Sequence, residues 1–409
     1  MSVASTATPP NPRRMSQAEF VALIGMMVAS VAFSIDAMLP AFPKIAGELT
    51  PDAPNSAQLI ITTFFIGMAV GIFLVGPISD SVGRRPVVLG GAFLYIVGAL
   101  IAWQSGTFEG ILIGRAVQGL GAAGPRVVAL AIVRDLFEGR HMARIVSFAM
   151  IIFTVFPAIA PLIGSAVISA FGWRSIFLAF IVFSVTSVTW YMVRQPETLP
   201  KERRLPFAFA QQKASAIEVA THPIVLRSIV VQSFIFGFLF GMISSIQPIF
   251  DTTFNLADQF PMWFAAIAGI SILPNIINAA IVVRLGMRRL IRSALIALLG
   301  ITTFVAGLFL LVTLDSGTQF WIYLLWTLAV FSTLGFTIGN LNALALQPMG
   351  HIAGTAASVM GALSTLFGGL LGAPLGLLFD GTPLPLALGT LLYLAVAVAV
   401  MWNFPKVDG

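Results

Sequence analysis

The sequence predicts an all-α membrane protein, with twelve transmembrane helices in two pseudo-symmetric six-helix bundles. Three observations lead there. The chain is 58% hydrophobic and 9% charged over 409 residues, whereas soluble domains carry roughly 25% charged residues. About twelve apolar runs each approach the roughly 20 residues needed to cross a bilayer. The cations gather on one set of alternating loops and the acids on the other, as topology in a membrane requires.

Residues 1–19 are rich in Ser, Thr and Pro and read as a flexible cytoplasmic tail. The first apolar run, 20–41, is too long for a signal-peptide core and contains Asp36, so it reads as a retained span. Runs at 55–79, 87–104, 108–134, 143–170 and 174–193 complete a first bundle over 20–193. The polar stretch 194–224, with Lys201, Glu202, Arg203, Arg204 and Lys213, reads as a cytoplasmic linker. A second bundle over 225–403 has runs at 225–250, 260–283, 290–313, 319–346, 352–379 and 384–403, before a tail at 404–409.

Placing the N-terminus in the cytoplasm puts Arg84, Arg85, Arg134, Arg194, Arg288, Arg289 and most other cations on inner loops. The outer loops then hold only Lys44 and Arg174 as cations, but collect Glu48, Asp52, Glu109, Asp251, Asp258, Asp315 and Asp380. Both termini are therefore expected on the cytoplasmic side of a cell inner (plasma) membrane. The pI near 10.2 comes from cations spread along short inner loops, which argues against a nucleic-acid partner. With no cysteine there is no disulfide framework or thiolate site. HExxH, GxxxxGK[ST] and GxSxG patterns are absent, and the three histidines fall at inner loops away from carboxylates. No enzyme activity, cofactor or metal is expected.

Each half carries a matching turn. Val82-Gly83-Arg84-Arg85-Pro86 follows the second run, and Leu285-Gly286-Met287-Arg288-Arg289 follows the eighth. Matching halves are the pattern of a parallel-repeat carrier, whose substrate site lies near the midplane.

Three strongly ionisable side chains fall well inside the spans: Asp36, Arg115 and Arg126. A charge there is costly unless paired or hydrated, so each marks function by default. Counting rise along the helices puts Asp36 and Arg115 at similar depth in the outer half, where a salt bridge or water-mediated contact between them is expected. Asp36 would be ionised while the guanidinium is close and would take a proton when substrate or a conformational change disturbs the pair. The alternative is a static ion pair that fixes helix packing. Arg126 lies eleven residues after Arg115 on nearly the same helix face, with Gln118, Gly119 and Ala122 close to that stripe. It would meet an anionic group or snorkel to the inner surface.

Pro157, Pro161 and Gly164 mark the fifth span as a helix that bends or lets a neighbour approach. The second half offers few polar side chains, among them Gln247, Asn275, Asn278 and Asn340. Phe234, Phe236, Phe238 and Phe240 alternate in the seventh span, most of them expected to face lipid. An apolar, aromatic cavity of this kind suits an amphipathic solute. Asp36, Gln118, Arg126, Asn275 and Asn340 are its candidate contacts.

These residues carry a resemblance. Gly76-Pro-Ile-Ser-Asp80-Ser-Val-Gly83-Arg84-Arg85 resembles the loop motif G-x-x-x-D-R-x-G-R-R of the major facilitator superfamily, departing from it at Ser81. Arg115-Ala-Val-Gln118-Gly119-Leu-Gly121-Ala-Ala resembles the fourth-helix motif R-x-x-Q-G-x-G-A-A throughout. Phe156-Pro157-Ala-Ile-Ala-Pro161-Leu-Ile-Gly164 is similar to the fifth-helix antiporter motif in weakened form. Asp36-Ala-Met-Leu39-Pro40-Ala-Phe-Pro43 resembles the D-x-Y-L-P-x-x-P segment of the bicyclomycin/chloramphenicol (Bcr/CflA) branch of drug–proton antiporters, with Met38 in place of Tyr.

The resemblance implies the major facilitator fold and proton-coupled efflux of small amphipathic compounds or drugs by alternating access. It implies that Asp36 and Arg115 handle the proton. Gly76, Asp80, Gly83, Arg84 and Arg85 would form an inner latch that holds the outward-open state. The implied partners are a small-molecule substrate, protons and membrane lipid, and the chain reads as a monomer. Two alternatives stay open: a proton-coupled importer or metabolite carrier on the same fold, and a non-transporting receptor or scaffold.

Overall fold

The computed structural model describes residues 15–204 and 209–404. Most of the expected tails at 1–19 and 404–409, and positions 205–208 of the linker, lie outside the described residues. The first bundle comprises α1 (Gln17–Asp36), α3 (Leu59–Val82), α4 (Arg84–Gln104), α5 (Phe108–Leu136), α6 (Gly139–Phe171) and α7 (Ser175–Arg194), with a short α2 (Phe42–Leu49) at its outer end. The second comprises α9 (Pro223–Pro248), the paired half-spans α10 (Phe260–Ile270) and α11 (Leu273–Leu285), α12 (Met287–Leu311), α13 (Ser316–Leu346), α14 (Ala353–Leu377) and α15 (Leu384–Trp402). Counting α10 and α11 as one span, these are the twelve transmembrane helices of the major facilitator fold.

Local chemistry sets the helix ends. Ser16 caps α1 by accepting from Glu19 N at 3.1 Å, and Asp315 caps α13 by accepting from Thr318 N at 2.9 Å. Pro40 has no N–H to offer the carbonyl of Asp36, so α1 stops at Asp36 and tightens into a 3-10 turn at Leu39–Ala41. The repeated turn has one physical basis in both halves. Gly83, at φ 105°, separates α3 from α4, and Gly286, at φ 80°, separates α11 from α12. Side chains rarely tolerate that region, and glycine does.

Helix α5 packs against α3, α4 and α1, while α9 packs against α14, α15 and α13. The bundles meet where α3 runs beside α14 and α6 meets α10. At the outer end, Asn55 Nδ2 donates to the carbonyls of Leu377 at 3.1 Å and Phe379 at 2.6 Å. Ser245 Oγ donates to Gln58 Oε1 at 3.3 Å, and the rings of Phe65 and Phe240 stack with centroids 3.6 Å apart. Helix α10, the outer half of its span, rests on α6, whereas α11, the inner half, rests on α12 and α13. The ends expected on the outer side are thus closed between the two bundles.

The linker holds more than the sequence signalled. Among the described residues it contains a 3-10 turn at Lys201–Arg203 and a helix, α8 (Phe209–Thr221), laid against α14. His351 Nε2 lies 2.9 Å from Glu218 Oε1 of α8.

Candidate functional site

Asp36 is the last residue of α1 and is 5% exposed. The backbone beside it is pressed by α6: a Cβ built on Gly164 would lie 2.0 Å from the Ala37 carbonyl oxygen, so only glycine permits this approach. Pro157 and Pro161 lie on the same helix, which continues through both without a break. Among the described residues the Asp36 carboxylate has no salt-bridge partner.

Arg115 is fully buried. Its Nη2 donates to Ser34 O at 3.0 Å, its Nη1 to Gln118 Oε1 at 2.7 Å and its Nε to Ile60 O at 3.4 Å. The guanidinium also lies 4.4 Å from the Phe64 ring centroid, a cation–π distance. The direct Asp36–Arg115 salt bridge allowed for by depth is therefore not formed. Neutral oxygens and an aromatic face satisfy the cation instead. Gln118 is fully buried inside this cage, and its Nε2 has no partner among the described residues. The hydroxyls of Ser34 and Tyr95 bond to each other in the same layer.

Arg126 lies further along α5, half-buried, with Nη1 3.3 Å from Met68 Sδ. Asn340 is 5% exposed and donates to Asn278 Oδ1 at 2.8 Å and Phe336 O at 2.9 Å, so it ties α13 to α11. Asn275 is exposed on α11, its Nδ2 3.4 Å from Ser271 O. The α9 phenylalanines do not line the lipid face. Phe238 and Phe240 are buried, Phe236 stacks on Phe240 at 5.2 Å, and Phe234 meets Tyr393 at 5.5 Å. The reason is positional, since α9 is enclosed by α13, α14 and α15.

At the inner end, Arg84 Nη1 donates to Asp80 Oδ1 at 2.6 Å and Ser79 Oγ at 2.9 Å. Its Nε and Nη2 donate to the two oxygens of Asp135 at 2.9 and 3.2 Å, the bidentate geometry that suits a guanidinium. Glu197 Oε1 accepts from Arg84 N at 2.9 Å and its Oε2 from Arg85 N at 3.0 Å, capping α4. Arg85 Nη2 donates to Met192 O at 2.6 Å. Burial pushes the Glu197 carboxyl up, but backbone N–H groups of Leu199, Arg85, Arg84 and Thr198 outweigh it and hold the group below its usual range.

All these partners belong to the first bundle and the linker. Among the described residues the network joins the first bundle to the linker and ties no residue of the second bundle. Gly76 of the motif approaches that bundle, where an added Cβ would sit 3.0 Å from Ser358 Oγ. Asp135 and Glu197 went unassigned from the sequence. The signal for Glu197 is that it is the first acid after Glu138, placed where the sixth span reaches the inner side.

Two helical bundles closed at one end around a buried acid and a caged cation define a membrane transporter. The family model for the Major Facilitator Superfamily matches residues 22–373, and the chain belongs to that superfamily. It is 28% identical over 403 residues to the "Uncharacterized MFS-type transporter YdgK" of Bacillus subtilis, covering 96% of each chain. It is 28% identical over 364 residues to the "Bicyclomycin resistance protein homolog" of Haemophilus influenzae, covering 87% of this chain and 88% of the relative. The "Multidrug resistance protein MdtL" of Klebsiella pneumoniae is 34% identical over 178 residues, 42% of this chain and 44% of that protein. These relatives agree with the resemblance to the Bcr/CflA branch read from Asp36 to Pro43. Among solved structures, a D-xylose-proton symporter superposes with TM-score 0.75 at 15% identity, over 95% of this chain and 98% of that one. The human organic anion transporter MFSD10 does so with TM-score 0.61 at 17% identity, over 96% and 97%. At these identities the likeness concerns the fold.

Proposed function

We propose that this protein exports small amphipathic compounds or drugs across a bacterial inner membrane in exchange for protons, by alternating access. The observation that carries the reading is Asp36, a buried carboxylate at the point where α1 loses its helical hydrogen bonds. Backbone freed by Pro40, pressed by Gly164 and flanked by the Arg115 cage makes a site whose surroundings change when the bundles rock. A charge at this depth is costly unless hydrated or paired. The carboxylate therefore takes up or releases its proton as the cavity opens to one side or the other.

In this scheme the bundles at 20–193 and 225–403 move as units about the cytoplasmic linker 194–224, with both termini cytoplasmic and one chain sufficing. Arg115 and Gln118 hold the polar layer, while Arg126 and Asn275 remain available to substrate. The names of the bicyclomycin-resistance and multidrug-resistance relatives support the substrate class.

Everted membrane vesicles test the scheme. Adding substrate should release protons from their lumen in the wild type, and Asp36→Asn should abolish that release while leaving expression normal. Proton movement of opposite sign would indicate import. Unchanged function in Asp36→Asn would remove the coupling role. A drug-susceptibility panel in a pump-deficient host, wild type beside Asp36→Asn, identifies the compounds moved.

A further inference from the structure

The outer mouth holds a cleft that the scheme above leaves unused. Its volume is about 470 Å³, within the range of small-molecule sites. Both bundles line it: Phe42, Asn55 and Gln58 from the first, and Gln247, Asp251, Phe379 and Asp380 from the second. Its charge is of one sign, since Asp251 and Asp380 line it and no Lys, Arg or His does. Asp380 is held in place, its Oδ1 accepting from Thr382 N at 2.9 Å and Thr382 Oγ1 at 2.7 Å. Asp251 sits half-buried in the π-helical turn Ile249–Thr253 that follows α9.

A second, independent feature points to a ligand. Gln58 and Gln247 are 3% and 2% exposed. Gln58 Nε2 and Gln247 Oε1 each lack a hydrogen-bond partner among the described residues. Buried polar groups are ordinarily satisfied. One unused donor and one unused acceptor, on opposite bundles and lining one cleft, suit a guest that bridges them.

We infer that this cleft binds an amphipathic organic cation from the outer side, and that the bound cation holds the outer ends together. The two carboxylates attract the positive charge. Phe379, half-buried, offers aromatic surface to its apolar body and to the charge itself, with the buried Phe42 packed behind the wall. Gln247 Oε1 accepts from an N–H of the guest, and Gln58 Nε2 donates to an acceptor on it. Because the walls come from both bundles, this shape exists only while the outer ends meet. A ligand that prefers one state shifts the population toward it, so external cation slows the return to the outward-open state. The inference rests on the alternating-access part of the proposed function and is independent of proton coupling.

The test uses the full chain in lipid nanodiscs and propidium, a dicationic phenanthridinium, with its fluorescence as the readout. Saturable binding should weaken about tenfold or more in Asp251→Asn/Asp380→Asn. Phe379→Ala, which removes a wall without touching charge, should weaken it too and covers the case in which the double variant fails to fold. Glu109→Gln, which alters an exposed acid at the start of α5 that does not line the cleft, should leave it unchanged, which separates this cleft from general attraction to acids at the outer mouth. Equal binding in the wild type and in the folded double variant or Phe379→Ala overturns the inference, as does an equal loss of binding in Glu109→Gln. Spin labels at positions 52 and 316, one on each bundle and neither lining the cleft, should report a shorter, narrower distance with propidium. A longer distance overturns the claim that the cation holds the outer ends together.

Discussion

Arg115 of α5 donates to the main-chain oxygen of Ser34 at 3.0 Å, two residues before Asp36. The cation thus grips α1 by its backbone and stands near the acid without forming an ion pair with it. Its other donors reach Ile60 O of α3 and Gln118 Oε1 of α5, so one planar fork fixes three helices at one depth. A lysine ammonium is a compact charge on a flexible stem and cannot span three acceptors in that plane. Arg115→Lys should therefore fail to rescue transport and should destabilise the first bundle by about 2–4 kcal/mol, since buried acceptors lose their donors. Thermal unfolding in detergent and drug efflux from cells check both parts. A wild-type melting curve would show that the cage is not what holds α1.

The inner network ranks its own members. Asp135 accepts two bonds from Arg84 and a third from Thr198 Oγ1 at 2.8 Å. Its side chain is 16% exposed, against 49% for Asp80. Exposed pairs contribute about 0–1 kcal/mol, and removing one partner of a buried pair costs about 3–5 kcal/mol. Asp135→Ala should thus lower stability clearly more than Asp80→Ala. Arg84→Ala and Asp80→Ala should both slow turnover more than they weaken substrate binding, because they act on the ends of moving helices. Binding titrations beside transport rates separate the two effects.

How far the sequence could be read follows from the kind of signal each feature leaves. Apolar run length gave the twelve spans, and Gly83 and Gly286 gave the repeated turn, because each is written in local composition. Rise along a helix placed Asp36 and Arg115 at one depth, but rise supplies one coordinate and no rotation, so the pairing did not follow. Glu197 caps α4 from 112 positions away, a contact that leaves no periodic trace. Helix α8 is too polar to stand out as a span, and its packing on α14 is tertiary. The α9 phenylalanines showed their spacing, but whether a helix is central or peripheral in a bundle depends on its neighbours.

Glu197 also predicts an acid response. Its folded-state carboxyl lies below the usual range because backbone N–H groups at the start of α4 overcome the opposing effect of burial. A depressed carboxyl contributes stability that is present above its unfolded titration range and is lost as pH falls through the folded one. Glu197→Gln should therefore melt lower than wild type near neutral pH, and the gap should close on acidification between about pH 5 and pH 3. Melting curves across that window test it. A gap that stays constant with pH would show that the carboxylate's charge contributes nothing to the cap.

Gly164 offers the sharpest steric test. A Cβ there would sit 2.0 Å from the Ala37 carbonyl oxygen and 2.9 Å from its Cα, and both are backbone atoms that cannot rotate away. Gly164→Ala must push α6 from the end of α1, where inserting one methyl into a packed contact costs about 1–3 kcal/mol. Gly164→Val needs a larger displacement and should lose more. The separation opens the backbone next to Asp36, so gradient-driven flux should fall in the order wild type, Ala, Val, with loss of rate exceeding loss of folded protein. Size-exclusion profiles and vesicle transport measure the two in parallel. Should Gly164→Ala match the wild type in both, α6 does not approach α1 this closely, and the pressed helix break would cease to support the proposed role of Asp36.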